Sequence, residues 1–237
     1  MADDRLIAAL DVPTRAAAEQ LVTRLGDSVS CYKVGMELFY ALGGDIVTWL
    51  KGREKKVFLD LKLHDIPNTV ANGLCSLLRL RPDILNVHTA GGLRMMTVAR
   101  EVLHAAADRE GISCPKLIGV TVLTSMDAED WGGLGRTGTI ADAVLCRAQL
   151  AQKAGLDGVV ASPAETEAIR RTCGDDFLIV TPGIRPAGVA HDDQRRVMTP
   201  AGAIRAGASQ IVVGRAIYAA ENPRAAAEEI LKEMESV

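Results

Sequence analysis

Eight short runs of consecutive apolar, often β-branched residues recur along the chain, at 6–11, 31–36, 56–62, 84–89, 117–123, 158–162, 177–183 and 210–215. Most are apolar nearly throughout rather than alternating, the pattern of parallel strands covered on both faces. Between them, 15–25, 70–80, 97–109, 140–154 and 224–234 carry alanine and leucine at helical spacing. The repeating unit is a strand followed by a helix. Eight units in 237 residues give about 30 residues each, the length of one strand and helix in a closed (β/α)8 barrel. An open doubly wound sheet would carry a glycine-rich turn after its first strand. Here that turn reads LDVPTRAAAEQ, without G-x-G-x-x-G. The expectation is a single (β/α)8 TIM barrel over residues 1–237, with no linker or second compositional regime. The longest stretch without a strand or helix pattern, 184–199 after the seventh strand, is expected to be a functional loop.

Composition narrows the classes of partner. Lysine and arginine number 27 against 30 aspartates and glutamates, a net charge of −3, so there is no electrostatic footprint for nucleic acid or an anionic membrane. Cys31, Cys75, Cys114, Cys146 and Cys173 are odd in number and form no C-x-x-C pair, which argues against a disulfide framework or a cysteine zinc site and for a reduced, cytoplasmic compartment. The opening MADDRLIAALDV lacks the basic region of a signal peptide, and no apolar run approaches membrane-spanning length. The four histidines show no metal-ligand spacing.

Candidate chemistry lies at the strand ends, which in a barrel converge on one mouth. Asp11 ends the first run, Lys33 sits in the second, Asp60 and Lys62 in the third, His88 in the fourth, and Gly214-Arg215 closes the eighth. Within VFLDLKLHDIPNTV, Asp60 and Lys62 are two apart in an otherwise apolar strand, so they share a face. A purely structural ion pair would explain those two alone. Adding Lys33 and Asp65 gives four charges of alternating sign, which implies an organised array. Asp65 has a simpler reading as well, as a cap for the helix that follows Pro67.

Taken together, these residues resemble the orotidine 5′-phosphate decarboxylase family in its compact bacterial form. The likeness runs through LDV at 10–12, YKVGMELF at 32–39, FLDLKLHDIPNTV at 58–70, VTVLTSM at 120–126, TPGIRP at 181–186 and VVGRAIY at 212–218. It implies cofactor-independent decarboxylation of orotidine 5′-monophosphate to uridine 5′-monophosphate in pyrimidine biosynthesis. The same D-x-K-x-x-D element occurs in magnesium-dependent sugar-phosphate decarboxylases and hexulose-phosphate synthases, which carry an acidic residue where this chain has Lys33. An ammonium there would repel a divalent cation, so no metal is expected. That magnesium-dependent enzyme class is one alternative, and a non-catalytic barrel that binds a phosphate ligand is another.

The resemblance also implies roles. Lys62 would be the proton donor, with Lys33 and Asp65 holding Asp60 and Lys62 in place and Asp60 near the substrate carboxylate. Asp11 and Lys33 would contact the ribose, and Thr124 or Ser125 would read the pyrimidine edge. Pro182, Arg185, Gly214 and Arg215, on the loops after the seventh and eighth strands, would hold the phosphate, as barrel loops there commonly do. Gln194 would bridge phosphate and pyrimidine if the 184–199 loop closes. A homodimer with shared sites is implied, in which Asp65 and Thr69 complete the partner's mouth.

Overall fold

The computed structural model describes residues 3–186 and 198–237. Eight parallel strands pair in chain order into a closed barrel: β1 (Leu6–Ala9), β2 (Cys31–Gly35), β3 (Lys56–Leu63), β4 (Ile84–His88), β5 (Lys116–Val120), β6 (Gly158–Val160), β7 (Leu178–Thr181) and β8 (Gln210–Val213). The ring shuts where Leu6, Ile7 and Ala8 of β1 pair with Ile211, Val212 and Val213 of β8. This is the expected (β/α)8 architecture. All strands but β3 end before the corresponding apolar run does, because an apolar pattern reports burial rather than ladder hydrogen bonds. Leu10, for example, is fully buried just beyond β1.

The five expected helices are present as Arg15–Leu25, Pro67–Leu78, Gly92–Glu110, Ile140–Lys153 and Pro223–Glu235. Among the described residues, six shorter helices carried too few turns for periodicity to show: Met36–Leu42, Asp45–Lys51, Ala128–Gly133, Thr166–Cys173, Pro200–Arg205 and Arg215–Tyr218. Two of these have side-chain caps that the sequence reading missed. Asp127 accepts from the N–H groups of Glu129 and Asp130, and Thr199 from that of Gly202.

Burial divides into two shells. Inside the barrel, Ile7, Ala9, Cys31, Phe58, Ile84, Ile118, Val180 and Val212 form one cluster. Outside it, a larger cluster packs the other strand faces against the helices. The inner cluster is the floor of the site, since the residues two further along each strand point to the same side, one layer nearer the mouth. The ends of the 184–199 stretch are tied together: Ile184 bridges Met198 in parallel, and the Arg185 N–H donates to the Met198 carbonyl at 3.0 Å. Gln194 lies outside the described residues. Among the described residues no helix is long and apolar enough to cross a membrane.

At β6 the closeness of the strands sets a strict limit. A Cβ added at Gly158 would lie 2.1 Å from the Leu178 carbonyl oxygen on β7, a backbone atom that cannot swing aside. Gly158→Ala is expected to lower the unfolding free energy by about 2–3 kcal/mol, the upper part of the range for overpacking. The check is a lower denaturant midpoint at unchanged slope.

Candidate active site

One layer above the inner cluster, charge replaces apolar side chains. Lys33 is two residues beyond Cys31, Asp60 two beyond Phe58, and Asn86 two beyond Ile84, so three neighbouring strands deliver polar groups to the same face. Lys33 and Asp60 border a cavity of about 470 Å³ whose floor includes Ala9, Phe58 and Val212, a size suited to a small ligand.

The charges form a continuous chain. Lys33 Nζ donates to Asp11 Oδ1 at 2.8 Å and lies 3.6 Å from Asp60 Oδ2, while Lys62 Nζ donates to Asp60 Oδ1 at 2.7 Å. The order is Asp11, Lys33, Asp60, Lys62. Gly35 makes room for its first link, because a Cβ there would stand 3.0 Å from Lys33 Nζ and 3.4 Å from Asp11 Oδ1.

Asp60 is only 8% exposed. Burial pushes its pKa up and is the largest single effect, but the ammonium groups of Lys33 and Lys62 and hydrogen bonds from Lys62 and Asn86 together hold it below the usual 3.8. Magnitudes make that outcome reasonable. A unit charge about 4 Å away contributes about 4 kcal/mol at an effective dielectric near 20, and two such charges offset a desolvation cost of several kcal/mol.

The pairing of Asp60 with Lys62 is reached by a route the sequence did not suggest. Simple strand alternation would put both on one face, yet β3 is irregular here. Leu59 pairs with Leu85 and Leu63 with Val87, so Asp60, Leu61 and Lys62 stand opposite the single residue Asn86. Lys62 takes a positive φ of 52°, a conformation a lysine rarely adopts. Its N–H donates to Asn86 Oδ1 at 2.7 Å, and Asn86 Nδ2 donates to Asp60 Oδ1 at 2.7 Å. Sequence reasoning missed Asn86. Its signal was a polar residue inside the apolar run ILNVH, and it is 1% exposed.

Other expected residues divide clearly. Thr124, Pro182, Arg185, Gly214 and Arg215 line the cavity with Asp11, Lys33, Asp60 and Lys62. Ser125 and Thr69 are exposed and do not line it. Arg215 opens a four-residue helix, Arg215–Tyr218, instead of ending a strand, and Gly214 is its N-cap. Asp65 does not join the charge chain. It is exposed, and its Oδ1 accepts from the adjacent Ile66 N–H at 2.6 Å. Nor does it cap the helix Pro67–Leu78, whose N-cap is Ile66 without a side-chain bond. Among the described residues, no group of three His, Cys, Asp or Glu side chains comes together as a metal-holding set.

Residues 4–230 match the sequence family described as orotidine 5′-phosphate decarboxylase / HUMPS. The chain belongs to that family. Within it, the chain is 51% identical to the orotidine 5′-phosphate decarboxylase of Moorella thermoacetica over 237 residues, which is all of this chain and 94% of that one. It is 48% identical to the protein of the same name from Carboxydothermus hydrogenoformans, over 99% of this chain and 97% of the other. The crystal structure of orotidine 5′-phosphate decarboxylase from Lactobacillus acidophilus superimposes with a TM-score of 0.86 at 42% identity, covering 98% of this chain and 99% of that one. The family description spans two chemistries, and these three relatives all bear the decarboxylase name.

This family member carries one more ionisable pair at the mouth. The rings of His64 and His88 lie 5.7 Å apart at a 43° tilt. Burial holds the His88 pKa below the ordinary 6.5, with His64, Lys62 and Arg147 adding to the effect and Asp60 opposing it. A base whose folded pKa is depressed favours folding fully above its unfolded value and loses that contribution as pH falls, because the unfolded chain takes the proton first. As pH drops below about 6.5, the wild type should therefore lose stability more steeply than His88→Gln. Denaturant midpoints of the two proteins across that range check it.

Proposed function

We propose that this protein decarboxylates orotidine 5′-monophosphate to uridine 5′-monophosphate in pyrimidine biosynthesis, in the cytoplasm, without metal or cofactor. The observation that carries the reading is the charge chain ending at the Lys62 ammonium beside the cavity. Loss of CO2 from C6 breaks the C6–carboxylate bond and leaves its electron pair in the plane of the ring. No π-system can absorb that pair, so stabilisation must be electrostatic. A fixed ammonium facing C6 meets the demand and then supplies the proton, forming the new C6–H bond. Lys62 has this role. The released amine regains its proton from solvent.

Lys33 keeps Asp60 ionised, and Asp60 in turn holds Lys62, through the contacts described above. In this reading Asp60 lies beside the departing carboxylate, and Asp11 and Lys33 contact the ribose. Thr124, which lines the cavity, suits the pyrimidine edge better than the exposed Ser125. Arg185 and Arg215, with Pro182 and Gly214, take the phosphate on the β7 and β8 side. Gln194, outside the described residues, would bridge phosphate and pyrimidine if the 184–199 loop closes. Lys33 also weighs against the magnesium-dependent alternative, because its ammonium stands 3.6 Å from the carboxylate a cation would need. A non-catalytic phosphate-binding barrel is disfavoured by the buried, alternating charges, which simple phosphate binding does not require.

Asp65 and Thr69 act in the partner's site of a symmetric homodimer. Their exposure supports this, as does the company they keep: Ile66 is 67% exposed between them, and Met36 and Tyr40, on the helix after β2, are 44% and 72% exposed. Large apolar side chains left open around the site call for a covering surface.

Two experiments test the reading. Purified protein held in EDTA should consume orotidylate, followed by its absorbance, at the rate seen without chelator. No turnover, or turnover restored only by magnesium, would count against it. For the shared site, Lys62→Ala and Asp65→Ala homodimers should each be nearly inactive. Their mixture should recover up to half the wild-type activity per mixed dimer, since both lesions then fall in one site. Verified subunit exchange without recovery would place Asp65 in the site of its own chain.

A further inference from the structure

The Asn86 carboxamide sits where two separate requirements of the charge chain meet. At the β3 irregularity the Lys62 N–H has lost its place in the strand ladder and donates to Asn86 Oδ1 at 2.7 Å. The other end of the same side chain donates to Asp60 Oδ1 at 2.7 Å, the oxygen that also receives Lys62 Nζ. Neither partner leaves the orientation of the amide open. A backbone N–H can only donate, and an ionised carboxylate can only accept, so one face must be C=O and the other NH2. Asn86 is 1% exposed, which leaves water no route to replace either bond.

We propose that Asn86 is a positioning residue for decarboxylation: its oxygen fixes the Lys62 backbone in its left-handed turn while its NH2 fixes the Asp60 oxygen that holds the Lys62 ammonium. The proposal rests on the decarboxylase reading above for its kinetic consequences only. Asparagine is suited to the position in a way its neighbours in size are not. Leucine offers neither group. An aspartate would set a second carboxylate against Asp60 unless it kept a proton, and with a proton it would reproduce the asparagine pattern, one O–H donor and one acceptor.

The charged and titratable groups that face Asp60 are Lys33 on β2, Lys62 on its own strand and His88 on β4, with Asp11 behind Lys33. None of these residues is replaced in the Asn86 variants. Loss of the amide donor therefore acts on Asp60 directly, and its titration is the readout that a merely structural role would leave unmoved.

The test compares wild type, Asn86→Ala and Asn86→Asp, each first checked for cooperative unfolding. Carboxyl-carbon NMR of Asp60 in Asn86→Ala should show titration at higher pH than in wild type. Its kcat should fall about a hundredfold, the scale set by small misplacements of a reacting group, with little change in uridine 5′-monophosphate binding. Asn86→Asp should be most active at acidic pH and lose activity across the neutral range as the new carboxyl ionises. An Asp60 titration coincident with wild type in Asn86→Ala, or an Asn86→Asp profile parallel to wild type, overturns the proposal. If the alanine variant does not fold, the nearly isosteric aspartate variant decides alone. If wild type does not turn over orotidylate, the decarboxylase reading fails, and the Asp60 titration still decides the role of Asn86.

Discussion

A carboxylate buried at the mouth of a barrel is stable only if its surroundings supply what water would have given, and the Asp60 site is organised by that requirement. Lys33 approaches one oxygen, and Lys62 and Asn86 bond the other. Each partner is in turn constrained by Asp60. Lys62 in particular is a flexible side chain on a strand end, and without an anion at 2.7 Å it would have little reason to point into the cavity. The cost of burying one negative charge thus becomes the means of aiming a positive one.

The barrel makes the arrangement possible through its period of two. An inner cluster of one or two residues from seven strands closes the floor, and inward positions one layer nearer the mouth carry the charges. Departures from regular geometry occur where the charges need them. Gly35 leaves out the side chain that would crowd the Lys33–Asp11 pair, and Lys62 adopts a positive φ opposite Asn86. A backbone strained at a charged side chain, and tied down by a buried one, suits a site whose geometry must be set before the ligand arrives.

Much of this was legible in the sequence. The spacing of apolar runs gave the closed barrel, and the alternation of Asp60 and Lys62 with Lys33 nearby marked the site and its family. Other parts were hidden for physical reasons. Asn86 lies in a run that reads as an ordinary buried strand, and nothing in a linear sequence says that three residues of β3 will face it. Asp11, expected at the ribose, is also the first link in the ion chain through Lys33, a pairing that spacing along the sequence did not show. Asp65 carried the right charge at the right spacing, but its carboxylate accepts from the adjacent Ile66 N–H instead of joining the ion chain. The short helices escaped because two turns hold too few residues for a period to emerge, although caps such as Asp127 and Thr199 were there to be read.

The central claim is that the ammonium of Lys62, held by Asp60, carries the reaction. The most direct measurement is the single-turnover rate of Lys62→Met on orotidine 5′-monophosphate, with uridine 5′-monophosphate affinity measured on the same sample. Methionine keeps an unbranched side chain of similar length and removes the charge and the proton. Decarboxylation should be lost while nucleotide binding through Arg185 and Arg215 persists. Turnover near the wild-type rate would contradict it.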